Sequence, residues 1–264
     1  MKQINASDNL KENCLNPFYV EYLDSYVKTT IEKNTKLIKQ SNGQITDYRA
    51  VFDKIADLPK ISPIYKDLLL SKYLLLIGNS FSKGDFEKYL KKCRSIVDNK
   101  EIIGVYNSKY IDLYSNSKNI KKSLTLNNYR EKPFELIDLI SNNQDKIIYV
   151  DFWASWCAPC RAVMNSSSQL KEKYKNQKIL FVYISIDKDT LAWEKANKAE
   201  KLNNYRDSYI AVNQETSDFL KTMNLTTIPR YVLYKKKGVL VNSNAPNPGS
   251  SELTKLLDKL LQIK

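Results

Sequence analysis

The fold of the second half of the chain is decided by Ile147-Ile148-Tyr149-Val150-Asp151-Phe152-Trp153-Ala154-Ser155-Trp156-Cys157-Ala158-Pro159-Cys160-Arg161. Its first part, residues 147–153, is apolar except for one aspartate and rich in β-branched and aromatic residues, which predicts a buried strand. The part after Trp156 predicts a helix over residues 158–175, and Pro159 suits its first turn because no backbone N–H is needed there. The pattern therefore predicts a strand that delivers two cysteines to the start of a helix.

Two cysteines separated by two residues at a helix start are typical of a thiol–disulfide exchange site. Such a site needs one thiol that is deprotonated near neutral pH. The helix dipole and the free backbone N–H groups of the first turn lower the pKa of a cysteine placed there, so we predict Cys157 to be the nucleophile. Cys160, one turn further in and more buried, is predicted to resolve the mixed disulfide by attacking Cys157.

The same spacing leaves two alternatives open, half of a zinc site and a plain structural disulfide. Structural zinc needs four ligands, and the chain has no histidine and only two further cysteines, Cys14 and Cys93, which are isolated in the sequence. The absence of histidine also excludes Ser/His/Asp triads, Cys/His proteases and every His-ligated metal site.

Size and composition indicate a globular protein of one large or two ordinary domains. The chain has 264 residues and 42% apolar content, enough for a proper core. Its net charge of +13 results from 36 lysines and 6 arginines against 29 acidic residues. The basic residues are scattered along the chain and are mostly lysine, so we predict no dedicated nucleic-acid binding. The longest apolar run, 68–77, is broken by Ser71 and Lys72, which predicts no membrane span. Any export signal is expected to have been removed before residue 1.

The first half of the chain is predicted to be helical. Apolar residues recur at helical spacing from residue 17 to about 116, interrupted at Asn42-Gly43, Pro59 and Pro63. This pattern predicts four or five antiparallel helices in a bundle or a tetratricopeptide-like stack. Residues 116–133, rich in Ser, Asn and Lys, separate this helical pattern from the short β-branched runs that follow. We therefore predict an all-α domain over residues 1–128 and a second domain over residues 129–264.

Short β-branched runs alternate with helical ones in the second half. The predicted elements are strand 147–153, helix 158–175, strand 178–186, helix 190–201, strand 208–212, helix 215–223, strands 230–235 and 238–242, and helix 250–262. Such alternation predicts an α/β domain with a central sheet covered by helices on both faces and closed by a hairpin.

Two motifs resemble those of a known family. The segment Asp151-Phe152-Trp153-Ala154-Ser155-Trp156-Cys157-Ala158-Pro159-Cys160 resembles the active-site segment of thioredoxins, and Thr227-Ile228-Pro229-Arg230 resembles the loop whose proline, cis in that family, faces the redox pair. Pro229 lies 42 positions after Asp187, and the span between them includes an extra helix and strand, similar to the insert of exported TlpA/ResA-like thiol–disulfide oxidoreductases. The resemblance implies a thioredoxin-like fold with a mixed central sheet, preceded here by the helical domain.

The resemblance implies a catalytic role for a third residue beside the two cysteines. Asp151 occupies the position of a buried carboxyl group that relays the proton of Cys160; its alternative is a strand-end aspartate hydrogen-bonded to a turn. Many TlpA/ResA-like sequences carry a glutamate and a proline where this chain has Val163 and Asn165. We therefore expect Asp151 to act without a second carboxylate.

The resemblance also implies a substrate surface around the cysteines. The backbone of Ile228, before Pro229, is expected to pair with an extended partner chain. Trp156 forms one wall of that groove, and Ala158 and Pro159 complete the predicted surface. By contrast, the sequence predicts core packing for Trp153, Trp193 and Cys93, and an adventitious thiol for Cys14.

The function implied by the resemblance is thiol–disulfide exchange with partner proteins, in the direction that reduces their disulfides. No cofactor is expected beyond the redox-active Cys157–Cys160 disulfide. The expected partners are protein disulfides and an upstream electron donor, and the expected location is the periplasm or cell envelope, with the cytoplasm as the alternative. A second hypothesis is a partner-binding module in which the helical domain dominates and redox activity is low. A thiol peroxidase would need a different cysteine setting.

Overall fold

The computed structural model describes residues 16–40, 43–59, 61–97, 123–128, 132–202, 206–223 and 225–262. Residues 16–97 form a helical region, and residues 123–262 form a sheet domain. Cys14 lies outside the described residues. Within the described ranges, no helix combines the length and the hydrophobicity that crossing a bilayer requires.

The helical region contains four α-helices and a short hairpin. In chain order these are α1 (Pro17–Tyr26), continued by a π-helical turn (Val27–Glu32), β1 (Leu37–Gln40), β2 (Gly43–Thr46), α2 (Tyr48–Ala56), α3 (Pro63–Ser80) and α4 (Lys83–Ile96). Polar side chains cap three of the helices: those of Asn16, Asp47 and Ser82 accept hydrogen bonds from first-turn N–H groups. The sequence prediction took Gly43 as a break between helices and missed the hairpin, in which Leu37 pairs with Thr46.

The sheet domain is a seven-stranded sheet with helices between its strands. Its elements are β3 (Thr125–Asn127), β4 (Phe134–Glu135), α5 (Leu136–Ser141), β5 (Ile147–Trp153), α6 (Ala158–Ala162), α7 (Met164–Lys173), β6 (Ile179–Ser185), α8 (Thr190–Ala199), β7 (Ser208–Ala211), α9 (Asp218–Thr222), β8 (Arg230–Lys235), β9 (Val239–Asn242) and α10 (Ser251–Gln262). The strand order is β4-β3-β7-β6-β5-β8-β9. Strands β5, β6 and β7 run parallel, and the other pairs are antiparallel.

The sheet domain contains elements that the sequence did not predict, among them the helix α5, and one predicted helix is divided. The helix predicted over 158–175 is two helices, because the backbone at Val163 (φ −98°, ψ −2°) interrupts it. The short strands β3 and β4 were not predicted, and β3 pairs with both β4 and β7. The sheet therefore includes residues on both sides of position 128, where the sequence predicted the domain boundary.

Strand β5 is buried on both faces of the sheet and divides the core in two. Alternate residues of a strand point to opposite faces. One set packs into a cluster shared with α2, α3 and α4, and the other into a cluster that contains both cysteines; the two sets are Ile148, Val150 and Phe152, and Ile147, Tyr149 and Trp153. Asp151 has the parity of the second set, which places its side chain on the cysteine face.

Candidate redox site

Cys157 and Cys160 are joined by a disulfide at the start of α6. Their Sγ atoms are 2.02 Å apart and their Cα atoms 5.3 Å apart. Cys157 occupies the N-cap position of α6, and its Sγ accepts a hydrogen bond from the backbone N–H of Cys160 at 3.3 Å. Cys157 is 4% exposed and Cys160 is fully buried. Of the two cysteines, Cys157 is thus nearer to solvent, and a backbone donor is aimed at its sulfur.

A buried aspartate holds the turn between β5 and the cysteines. Asp187 follows β6, and its carboxylate accepts hydrogen bonds from the backbone N–H of Ser155 (2.8 Å) and from the Ser155 hydroxyl (2.6 Å). The Ser185 hydroxyl donates to the same carboxylate at 2.6 Å. Neither Asp187 nor Ser155 was predicted as a site residue, because 32 positions separate them and only the parallel pairing of β5 with β6 brings them together.

Asp151 is buried on the face of the sheet that carries the cysteine pair. It is 1% exposed, and neither carboxylate oxygen has a hydrogen-bond partner among the described residues. Its neighbours across the sheet are Tyr231 on β8 and Tyr183 on β6. Burial raises the pKa of Asp151 to about 8, because removal from water disfavours the charged form. This group can therefore exchange a proton near neutral pH, unlike an aspartate hydrogen-bonded to a turn.

Val163 and Asn165 lie at the break between α6 and α7. Many TlpA/ResA-like sequences carry a second carboxylate and a proline at these positions. Val163 is half-buried and packs against the cysteine cluster, whereas Asn165 is exposed. Burial alone accounts for the raised pKa of Asp151.

The predicted substrate residues Ile228 and Pro229 belong to the loop that precedes β8. The Ile228–Pro229 peptide bond is cis. Pro229 is buried, and Ile228 is half-buried and packs against both core clusters. Because β8 begins directly afterwards, with Arg230 opposite Phe152 on β5, this loop lies beside the end of the strand that leads to Cys157.

The exposed surface next to the disulfide is formed by residues flanking Cys157. Trp156 is 66% exposed, and Ala158 and Pro159 are exposed as well. On the outer side, Arg161 forms an ion pair with Glu200 at the end of α8 (Nε–Oε1 2.7 Å), a contact the sequence did not suggest.

The remaining residues singled out from the sequence are structural. Trp153, Trp193 and Cys93 are buried, as predicted. Burial raises the pKa of the Cys93 thiol to about 12, which favours the protonated form near neutral pH. In the part of the chain that the structure describes, no group of three or more His, Cys, Asp or Glu side chains could hold a metal ion.

Comparison with known proteins gives one family match, which covers the site. Residues 144–240 match the family model described as thioredoxin-like. The chain is 37% identical over 60 residues to a thioredoxin of Coprinus comatus, an alignment that covers 20% of this chain and 57% of that protein. It is 22% identical over 129 residues to the thiol-disulfide oxidoreductase ResA of Bacillus thuringiensis subsp. konkukian, covering 49% of this chain and 69% of ResA.

Solved structures match a share of this chain similar to that matched by ResA. A thiol-disulfide oxidoreductase from Bacteroides fragilis is 26% identical, with a TM-score of 0.44, and the match covers 53% of this chain and all of that one (100%). The thioredoxin domain of a thiol-disulfide oxidoreductase from Bacteroides vulgatus is 19% identical, with a TM-score of 0.45, covering 53% of this chain and 93% of that one. These matches extend over about half of the chain.

Proposed function

We propose that this chain, whose residues 144–240 form a thioredoxin-like domain, is a thiol–disulfide oxidoreductase that exchanges two electrons with disulfides of partner proteins. The observation that carries the proposal is the bonded Cys157–Cys160 pair at the start of α6, on the same face of the sheet as the buried carboxyl group of Asp151. The comparisons give no support to the alternative of a partner-binding module with low redox activity.

In the first step, the reduced protein attacks a partner disulfide. The Cys157 thiolate bonds to one sulfur of that disulfide, and the other sulfur leaves as a thiolate that takes a proton from water. The backbone N–H of Cys160, which points at the Cys157 sulfur, favours the charged thiolate. Cys157 is the nucleophile because it is the less buried of the two.

In the second step, Cys160 resolves the mixed disulfide. Its thiol gives up its proton to the Asp151 carboxylate, and the resulting thiolate attacks the Cys157 sulfur. The Cys157–Cys160 disulfide forms, and the partner leaves as a thiolate that is then protonated. A carboxyl group with a pKa of about 8 can accept this proton and release it again near neutral pH.

Each cycle moves two electrons from the dithiol to the partner disulfide, so the pair must be reduced again by an upstream dithiol donor. We assign the reducing direction and a location outside the cytoplasm from the resemblance to the exported TlpA/ResA-like family. The substrate surface consists of exposed Trp156, Ala158 and Pro159 on one side and the backbone at Ile228–Pro229 on the other.

The test is the reduction of insulin disulfides with dithiothreitol as the donor, followed by the precipitation of the insulin B chain. The wild type should accelerate the reaction, Cys157→Ser should abolish the acceleration, and Cys160→Ser should accumulate a mixed disulfide with insulin. Cys93→Ala is the matched control, because it removes a thiol that is buried away from the site. If Cys157 is alkylated no faster than a thiol of pKa about 8.5, the proposal is wrong.

A further inference from the structure

Arg230 is a buried cation between the redox site and the helical region. It is 7% exposed and directly follows Pro229. Its Nη1 donates to the backbone carbonyl of Ser243 at 3.3 Å and reaches the carbonyl of Asn79, at the end of α3, at 3.5 Å. Among the residues that the structure describes, no carboxylate forms a salt bridge with Arg230.

A second contact joins the same two places. The hydroxyl of Ser243, also buried, donates to the carbonyl of Gly78 at 3.2 Å. Close by, Ser82 at the start of α4 forms an isolated β-bridge with Asn242 at the end of β9. The last turn of α3 and the segment after β9 are therefore held together at several points around the Arg230 guanidinium.

The end of α3 supplies what a buried cation needs. The carbonyl groups of the last turn of a helix carry its negative partial charge. Gly78 and Asn79 lie in this last turn, so their carbonyls can offset the positive charge that Arg230 brings into the protein. Without such partners, the transfer of the guanidinium from water into the protein interior would be strongly unfavourable.

Arg230 also forms part of the backbone beside the substrate surface. It lies opposite Phe152 on β5 and is joined directly to Pro229 by a peptide bond. We propose that Arg230 is a positioning residue that couples the helical region to the redox site: the last turn of α3 holds the guanidinium and thereby fixes the backbone of Ile228 and Pro229 for pairing with a substrate chain. The inference rests on the proposed function and assigns the helical region a part in it.

The consequence is a difference between large and small substrates. An extended protein segment must pair with the Ile228 backbone, so a loosened loop has to become ordered when the segment binds. A small disulfide needs only the Cys157 sulfur. Loss of the guanidinium contacts should therefore raise KM for a protein disulfide about tenfold, the equivalent of one good hydrogen bond, and leave kcat unchanged.

The experiment compares Arg230→Met, Arg230→Lys and Ser243→Ala with the wild type on two disulfides, insulin and 5,5′-dithiobis(2-nitrobenzoate). Arg230→Met should raise KM for insulin about tenfold and leave the rate with the aromatic disulfide within about twofold. Arg230→Lys keeps the charge and should lose about threefold in KM. Ser243→Ala removes the hydrogen bond to Gly78 but retains the carbonyl that accepts from Arg230, so it should raise KM for insulin less than Arg230→Met does.

Two results would overturn the inference: an unchanged KM for insulin, or an equal loss on both disulfides, which would indicate damage to the whole site. If Arg230→Met does not fold, Arg230→Lys decides by the same criteria. Amide hydrogen exchange gives an answer that is independent of activity, since Arg230→Lys should speed exchange at 226–228 and at Phe81, whose N–H bonds to the α3 end. A wild type that reduces neither disulfide contradicts the proposed function, while unchanged exchange contradicts the coupling.

Discussion

At the scale of single residues, we predict that the buried carboxyl group of Asp151 makes the stability of the protein depend on pH. Burial raises its pKa to about 8, so the folded protein keeps a proton that the unfolded chain loses near pH 4. The folded state then binds more protons than the unfolded state between about pH 4 and about pH 8, and stability falls as the pH rises through this range. The chain has no histidine that could titrate in this range. Burial raises the pKa values of the neighbouring Tyr149 and Tyr231 above the ordinary value of about 10, so these tyrosines do not titrate in it either.

Asp151→Asn should remove this pH dependence in the oxidised protein. The variant and the wild type should be similarly stable near pH 4, and near pH 9 the variant should be more stable by up to about 5 kcal/mol. Urea unfolding at several pH values measures the difference. Asp145→Asn is the control, because Asp145 is an exposed partner of Lys178 and should leave the slope above about pH 5 unchanged. Parallel curves for wild type and Asp151→Asn would contradict the assignment.

Asp187→Asn should destabilise the protein and slow disulfide exchange. The amide cannot accept all the hydrogen bonds that Ser155 and Ser185 donate to the carboxylate, so we expect a loss of about 2 kcal/mol in the free energy of unfolding. Asp189→Asn is the matched control two residues away, since asparagine caps α8 as well as aspartate does. Equal stability of the two variants would show that the Ser155 turn does not depend on Asp187.

The residues that we propose to carry the chemistry were singled out from the sequence because they lie in short motifs. Cys157, Cys160, Asp151 and Pro229 are recognisable from their immediate neighbours in the sequence. Asp187 and Arg230 are not, because their contacts are with residues 32 and 151 positions away, Ser155 and Asn79, and exist only once strands and helices have packed.

At the scale of elements, long apolar patterns were predicted well and short strands were not. The bounds of β5 are those expected from its uninterrupted apolar run, and β8 also begins and ends as predicted. The strands β1 to β4 have two to four residues each, too few for alternation to stand out from the helical pattern around them. Their pairing depends on contacts that form only when the chain folds; β3, for example, pairs with the distant strand β7.

The strand β3 provides a test at this scale. Leu126, in its centre, is fully buried in the cluster that joins the helical region to the sheet. Leu126→Ala should lower the free energy of unfolding by about 2–5 kcal/mol, measured by urea denaturation. Leu37→Ala in the hairpin is the control, because its side chain is 51% exposed and should cost little. A loss below about 1 kcal/mol for Leu126→Ala would mean that β3 does not belong to the sheet's core.

At the scale of the whole molecule, the helical region and the sheet domain share one core. A continuous buried cluster runs from α1 through α3 and α4 to the sheet strands, and the contacts around Arg230 cross the same junction. Two units joined in this way should lose their structure together, since separating them exposes apolar surface and leaves a buried cation without its carbonyls.

Tryptophan fluorescence and far-ultraviolet circular dichroism should therefore report the same unfolding midpoint. All three tryptophans lie at residues 153–193, in the sheet domain, whereas the dichroism signal comes from helices in both parts. Ile77→Ala, which opens a cavity in α3, should lower both midpoints together by an amount equivalent to about 2–5 kcal/mol. Leu191→Ala, at an exposed position of α8, should move neither. If Ile77→Ala shifts the dichroism and leaves the fluorescence unchanged, the two parts fold independently, and the helical region cannot position the substrate loop through Arg230.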